Sequence, residues 1–169
     1  TSGYLGKMTI QGNHSEGHTA NAGIGYELIA SHVTCSGNTA KNNKYHFTAQ
    51  DSKGLVVQGN KTISAIGPGQ IAFLLTPATN ADWVEDVVFV GNQVEGGVGF
   101  QVSSTATTTP HTNLTIESNQ FIHCEYGVLM QQNTLNLNIV GNHVDANHGS
   151  VVTGRGIHFW GDKVTVANN

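Results

Sequence analysis

The chain has 169 residues, of which 38% are hydrophobic and only 11% charged, with a formal net charge of −4. That length suits one domain with enough apolar side chains for a core. The acidic balance offers no basic face for nucleic acid, and no apolar run approaches the roughly 18 residues that would cross a membrane. No charged leader followed by an apolar stretch opens the chain, so no signal peptide is visible. The sequence starts inside a strand-like stretch and stops on a repeat anchor. This gives the expectation of a single domain, 1–169, taken from a longer chain.

Seven short segments ending on asparagine recur in order. They read Met8-Thr-Ile-Gln-Gly-Asn13, Val33-Thr-Cys-Ser-Gly-Asn38, Leu55-Val-Val-Gln-Gly-Asn60 and Val87-Val-Phe-Val-Gly-Asn92. Leu114-Thr-Ile-Glu-Ser-Asn119, Leu137-Asn-Ile-Val-Gly-Asn142 and Val164-Thr-Val-Ala-Asn-Asn169 follow. The steps between anchors are 25, 22, 32, 27, 23 and 27 residues, a period that signals a solenoid. The positions five and three before each anchor are apolar in every copy, while those four and two before are mixed. Such alternation predicts a strand with one face inward, and the small residue before the anchor permits a sharp turn.

A brief segment after the anchor carries Thr62, Val94, Phe121 or Val144 at its second position. Another strand follows: Ile24-Gly-Tyr26, Tyr45-His-Phe47, Ile71-Ala-Phe73, Val98-Gly-Phe100, Val128-Leu-Met130 and Ile157-His-Phe159. Its third position predicts a core column of Tyr26, Phe47, Phe73, Phe100, Met130 and Phe159. Three strands per repeat, stacked at about 4.8 Å, predict an all-β, three-sided parallel β-helix of about seven coils. The spread of coil lengths disfavours a left-handed hexapeptide helix and favours the right-handed type. Leucine-rich repeats share the period but not the Leu-rich consensus. The asparagines predict a ladder of side-chain amides.

The repeated apolar-x-apolar-x-Gly-Asn motif, with its Gly-apolar-x-aromatic strands, resembles the pectate-lyase-like superfamily of right-handed parallel β-helices. The low-charge texture rich in Asn, Thr and Gly is most similar to the β-helical body of bacteriophage tailspikes. The resemblance spans essentially the whole chain. It implies a carbohydrate-recognising domain that binds, and in some members cuts, a bacterial surface polysaccharide. It further implies an extracellular or virion-surface location and a homotrimer. Two other readings stand beside it: a secreted microbial lyase, glycosidase or epimerase, and a non-catalytic stalk or adhesin. No catalytic signature of a named lyase or hydrolase is present, so no residue role is carried over.

Function on a solenoid sits where loops break the rhythm. Three neighbouring loops gather Asp51 and Lys53, then Asp82, Trp83, Glu85 and Asp86, then His111. Paired carboxylates serve glycosidic cleavage, so Asp51, Asp82, Glu85 and Asp86 are the candidate acids and bases. Trp83, Lys53 and His111 are the candidate sugar contacts; the alternative is a loop packed down by Trp83 and kept soluble by its acids. A second candidate group, after the anchors, is Glu95, His123, Glu125, Asp145, His148 and Arg155.

The histidines do not make a metal site. His14 and His143 share a column but stand several coils apart, and His46 and His158 are read as a similar outward pair. No cofactor or metal is expected. Cys35 lies in a core column and Cys124 elsewhere, which predicts no disulfide. Asn60 and Asn113 fall in Asn-x-Thr sequons, as chance allows in such a sequence. Outward Val56, Val88, Val90 and Val140 predict an assembly face, set against strand propensity as the plainer explanation.

Overall fold

The computed structural model describes residues 7–19, 23–50, 52–64, 69–76, 84–103, 110–131, 134–145, 155–159 and 161–169. The first coil is β1 (Met8–Gln11), β2 (His14–Glu16) and β3 (Ile24–Leu28). The second is β4 (Val33–Ser36), β5 (Thr39–Lys41) and β6 (Tyr45–Gln50). The third is β7 (Lys53–Gln58), β8 (Lys61–Ile63) and β9 (Ile71–Thr76). Next come β10 (Glu85–Val90), β11 (Gln93–Glu95) and β12 (Val98–Val102), then β13 (His111–Glu117), β14 (Gln120–Ile122) and β15 (Tyr126–Met130). The last full coil is β16 (Thr134–Val140), β17 (His143–Asp145) and β18 (Arg155–His158), and β19 (Gly161–Ala167) closes the stack.

Like strands pair only with like strands of adjacent coils. One sheet has seven strands, β1 to β19 in steps of three, and the other two have six each. Every pairing runs parallel. The described residues therefore make six complete coils plus one strand, slightly below the seven that the anchors suggest.

A residue with positive φ can turn a β-strand sharply, and the backbone places such residues in three columns at the corners. Immediately before the anchors these are Gly12, Gly37, Gly59, Gly91, Ser118, Gly141 and Asn168, with φ between 54° and 66°. Glycine reaches that region without Cβ strain, and Asn is tolerated there, which explains the Gly-Asn motif. Six residues before the anchors stands a second left-handed column: His32, Gly54, Asp86, Asn113, Asn136 and Lys163. A third, four residues after, is Gly17, Asn42, Gly96 and His123.

The anchor asparagines form the ladder. Asn60 Oδ1 accepts from both the backbone N–H and the Nδ2 of Asn38, at 2.9 and 3.0 Å. The same double contact joins Asn60 to Asn92, Asn92 to Asn119, Asn119 to Asn142 and Asn142 to Asn169. Each Nδ2 also donates backward to a strand carbonyl of the preceding coil, as Asn92 does to Val57 at 3.0 Å. One side chain thus ties three coils and satisfies buried backbone groups at the corner.

Inside, Tyr26 stacks on Phe47 with centroids 4.8 Å apart, and Phe73 on Phe100 at 5.3 Å. Phe89 from the first sheet closes on both Phe73 and Phe100. Leu55, Leu75, Leu114, Ile116 and Ile139 fill the remaining core. Cys35 and Cys124 are buried free thiols, and burial pushes both up to about 12.

Two expectations need correction. Phe100 pairs in register with Val128, and Val128 with Ile157. Met130 therefore sits one inward position further on, beside Val102, and Phe159 is exposed. A slip of two residues keeps each side chain on its expected face, so alternation cannot detect it. His46 does not share a column with His158. His158 pairs with Leu129, whereas His46 is fully buried, in the row otherwise held by Gly25, Ala72, Gly99, Gly127 and Gly156.

That small-residue row faces the second sheet at close quarters. A Cβ on Gly99 would collide with the Gly127 carbonyl oxygen and the Phe121 ring, and one on Gly127 would lie 2.7 Å from Val144 Cγ1. Gly99→Ala should cost about 1–3 kcal/mol as overpacking, measured as a lowered urea midpoint. Gly12→Ala, where no atom lies within 4 Å, should instead report only the cost of its φ of +66°.

Candidate functional site

The loop-flank group is only partly brought together. Asp51, Asp82 and Trp83 lie outside the described residues. Lys53 and Glu85 are register partners on β7 and β10, and their side chains form an ion pair at 3.1 Å. Asp86 occupies a left-handed corner with φ 56°, a conformation in which Asp and Asn are enriched. Its Oδ1 accepts from Asn113 Nδ2 at 2.7 Å, and Asn113 Oδ1 accepts from Asn136 Nδ2 at 2.9 Å. The flank is thus a second, exposed amide ladder, engaging Asp86 as its first acceptor. Asn113 is a rung of it.

His111 is corrected from surface contact to interior residue. It opens β13, is fully buried, and its Nδ1 accepts from the Val84 N–H at 3.0 Å. Nδ1 is therefore unprotonated in this arrangement, and burial lowers the ring below the usual histidine range. It fastens one coil to the next at this corner, much as the anchor amides do at theirs, and cannot touch a ligand.

The second candidate group is spread over two sheets. Glu95 and Asp145 end β11 and β17, two rungs apart across Ile122. His123 stands at a left-handed corner, with Nε2 3.9 Å from Asp145 Oδ2. Glu125 precedes β15, Arg155 opens β18, and the Arg155 N–H donates to the Glu125 carbonyl at 2.9 Å. His148 lies outside the described residues. Among the described residues no group of three or more His, Cys, Asp or Glu is placed to hold a metal ion.

The sequence reading missed the outer face of the third sheet. Tyr45, Ile71, Val98, Tyr126 and Arg155 stand in register on successive rungs. Ile71, Val98 and Leu129 form a buried apolar cluster separate from the core, and Tyr45, Leu74 and Tyr126, packed against it, are only partly buried. Gln101 Nε2 donates to Gln131 Oε1 at 2.8 Å along the border. At the upper end a pocket of about 300 Å³ is lined by Tyr126, Leu129, Met130, Gln131, Arg155 and His158. Of the predicted site residues that are described, only Arg155 belongs to this surface. An apolar floor with aromatic rings and a few polar groups is the usual make-up of a small-molecule or saccharide site.

Residues 78–169, more than half of the chain, match the family described as the right handed beta helix region. With the parallel three-sheet solenoid, that match establishes that the chain belongs to the right-handed β-helix family. No curated protein and no solved structure matched it.

Proposed function

We propose that this β-helix recognises a polysaccharide, as the body of a tailspike or related receptor-binding protein acting at the virion surface on a bacterial glycan. The observation that carries the reading is the outer face of the third sheet. Its half-buried Tyr45, Leu74 and Tyr126, held by the buried Ile71, Val98 and Leu129 beneath them, offer stacking surface for the C–H faces of sugar rings. Gln101, Gln131 and Arg155 offer hydrogen bonds at its margins.

Recognition is favoured over cleavage. Hydrolysis would use two carboxyl groups about 5–9.5 Å apart across a bound sugar. The described carboxylates of the loop flank are instead engaged with Lys53 and Asn113. Purified protein printed against bacterial capsular and O-antigen polysaccharides should retain at least one of them, with no release of reducing ends. Tyr126→Ala should weaken that retention by about tenfold, in line with the cost of losing a stacked ring. Absence of retention on every glycan would overturn the reading.

The same proposal extends to assembly as a homotrimer through the first sheet, where Val56, Val88, Val90 and Val140 are half-buried and face outward. Sedimentation of the full-length protein as a monomer would count against it.

A further inference from the structure

The pocket of about 300 Å³ at the upper end of the third sheet lies between two neighbouring strands. β15 supplies Tyr126, Leu129 and Met130, β18 supplies Arg155 and His158, and Gln131 directly follows β15. Tyr126 and Arg155 are register partners, as are Leu129 and His158. Leu129 and Met130 are almost wholly buried, so they contribute only the floor. The reachable walls are Tyr126 and His158, both half-buried, with Gln131 and Arg155 exposed at the rim.

Donors outnumber acceptors at that rim. The Arg155 guanidinium donates only, through a planar fork, and stays charged at any working pH. Among the described residues it has no ion-pair partner. Gln131 Oε1 already accepts from Gln101 Nε2 at 2.8 Å, which leaves Nε2 as the remaining polar group of Gln131. Among the described residues no Asp or Glu lines the pocket. Glu125, just before Tyr126, meets Arg155 through the backbone alone, its carbonyl accepting the Arg155 N–H. A fixed positive charge beside an uncommitted amide donor suits a ligand with an anionic pair of oxygens.

Volume and floor set the rest of the ligand. At roughly 30 Å³ per water-sized volume, about 300 Å³ holds on the order of ten non-hydrogen atoms. That is one ring bearing one carboxylate, and a disaccharide is too large. A bare inorganic anion would leave the Tyr126 ring and the floor without a partner. An aromatic ring can lie against Tyr126, and the Met130 thioether in the floor makes favourable contacts with aromatic rings.

We infer that this pocket binds a small aromatic carboxylate. The ring lies between Tyr126 and the floor of Leu129 and Met130, and the carboxylate is held by Arg155 and Gln131. The inference does not rest on the polysaccharide reading, although both use Tyr126.

Titration calorimetry of the whole chain with benzoate tests it. The comparison probes are benzamide as the uncharged isostere, acetate and inorganic phosphate as anions without a ring, and glucuronate as an acidic sugar. Benzoate should bind at least about tenfold more tightly than any of these, because only it makes both the charge-assisted and the ring contact. Arg155→Gln should weaken benzoate about tenfold and leave benzamide within about twofold, as expected for loss of a hydrogen-bonded charge. Tyr126→Ala should weaken benzoate and benzamide by similar factors, since the ring contact is common to both. Circular dichroism and urea unfolding of each variant separate loss of the site from loss of the fold.

Benzoate affinity no greater than that of acetate or benzamide overturns the inference. Benzoate binding unchanged by Arg155→Gln does so too, and places the site elsewhere. Glucuronate binding more tightly than benzoate makes the pocket a sugar subsite and overturns the aromatic acid. Binding of none of the probes overturns it as well, while the bacterial glycan panel decides the polysaccharide reading separately.

Discussion

Replacing Asn92 by alanine is expected to lower the unfolding free energy by roughly 4 kcal/mol, the sum of several lost partners at about 1–3 kcal/mol each. Asn92 is buried at the centre of the ladder. Its Oδ1 accepts from the Asn60 N–H and Nδ2, and its Nδ2 donates to Asn119 Oδ1 and the Val57 carbonyl. Truncation removes these four contacts and a fifth, from Nδ2 to the Val90 carbonyl at 3.2 Å, and leaves the Asn60 N–H without its acceptor at a buried corner. The residue is also placed where a solenoid is most sensitive. Stability is carried between nearest neighbours, so a defect in the middle weakens two interfaces at once. Asn92→Asp should be at least as damaging, because a carboxylate cannot donate to Val57 and adds a buried charge. Asn13→Ala, on an exposed outer rung, should cost only about 1 kcal/mol, the usual value of one hydrogen bond. Urea unfolding compares the three. Equal losses for Asn13→Ala and Asn92→Ala would mean that the ladder is ornamental.

The periodic parts of this architecture were legible because they repeat in side-chain chemistry. An asparagine in every coil, with apolar residues three and five before it, defines the first sheet and its inward face. The left-handed column six before the anchors repeats only in backbone conformation. Its residues, His32, Gly54, Asp86, Asn113, Asn136 and Lys163, have no common side-chain type. Asp86 therefore reads as a candidate acid in the sequence, although the corner accounts for its presence. His46 was misplaced for a different reason. Strict alternation predicts it outward, but the third sheet is irregular at the row of Gly25, Ala72 and Gly99, which turns inward.

The third-sheet face was hidden by register. Aligning on the apolar third position shifts the strand around Tyr126 by two residues and removes Tyr126 from the row of Tyr45, Ile71 and Val98. Aligning instead on the glycine of Gly25, Gly99, Gly127 and Gly156 restores the row, and that signal was available in the sequence. Lys53, Glu85 and Asp86 do lie on neighbouring rungs, but the hydrogen bonds linking Asp86 to Asn113 and Asn136 depend on a corner geometry that spacing does not encode.

Acidification from pH 7 to pH 4 is expected to remove roughly 3 kcal/mol of stability through His46 alone, at about 1.36 kcal/mol per pKa unit. Its ring is fully buried, and neither nitrogen has a hydrogen-bond partner among the described residues. Burial is the main cause that lowers the group from 6.5 to about 4. The Asn43 backbone opposes that shift, without reaching hydrogen-bond geometry. Glu16, Glu27, Lys41, Lys44 and Lys61 on and around the neighbouring strands are exposed or half-exposed, and none of them acts on the ring. The folded chain thus holds a neutral imidazole where the unfolded chain takes up a proton. Stability from this group is complete above about pH 6.5, falls as pH drops below it, and levels off below about 4. His111 adds to the loss in the same direction, because protonating Nδ1 removes the acceptor of the Val84 N–H. Glu16, held low by hydrogen bonds from Lys41 and His14, titrates below most of this window. His46→Met removes the titration and an unpartnered polar group at similar volume, so at pH 7 it should stay within about 1 kcal/mol of the natural chain. Denaturant unfolding at a series of pH values then gives the answer. The two proteins should diverge in stability between pH 6.5 and 4, the variant losing less. Parallel profiles would show that the buried ring is not the source of the acid sensitivity.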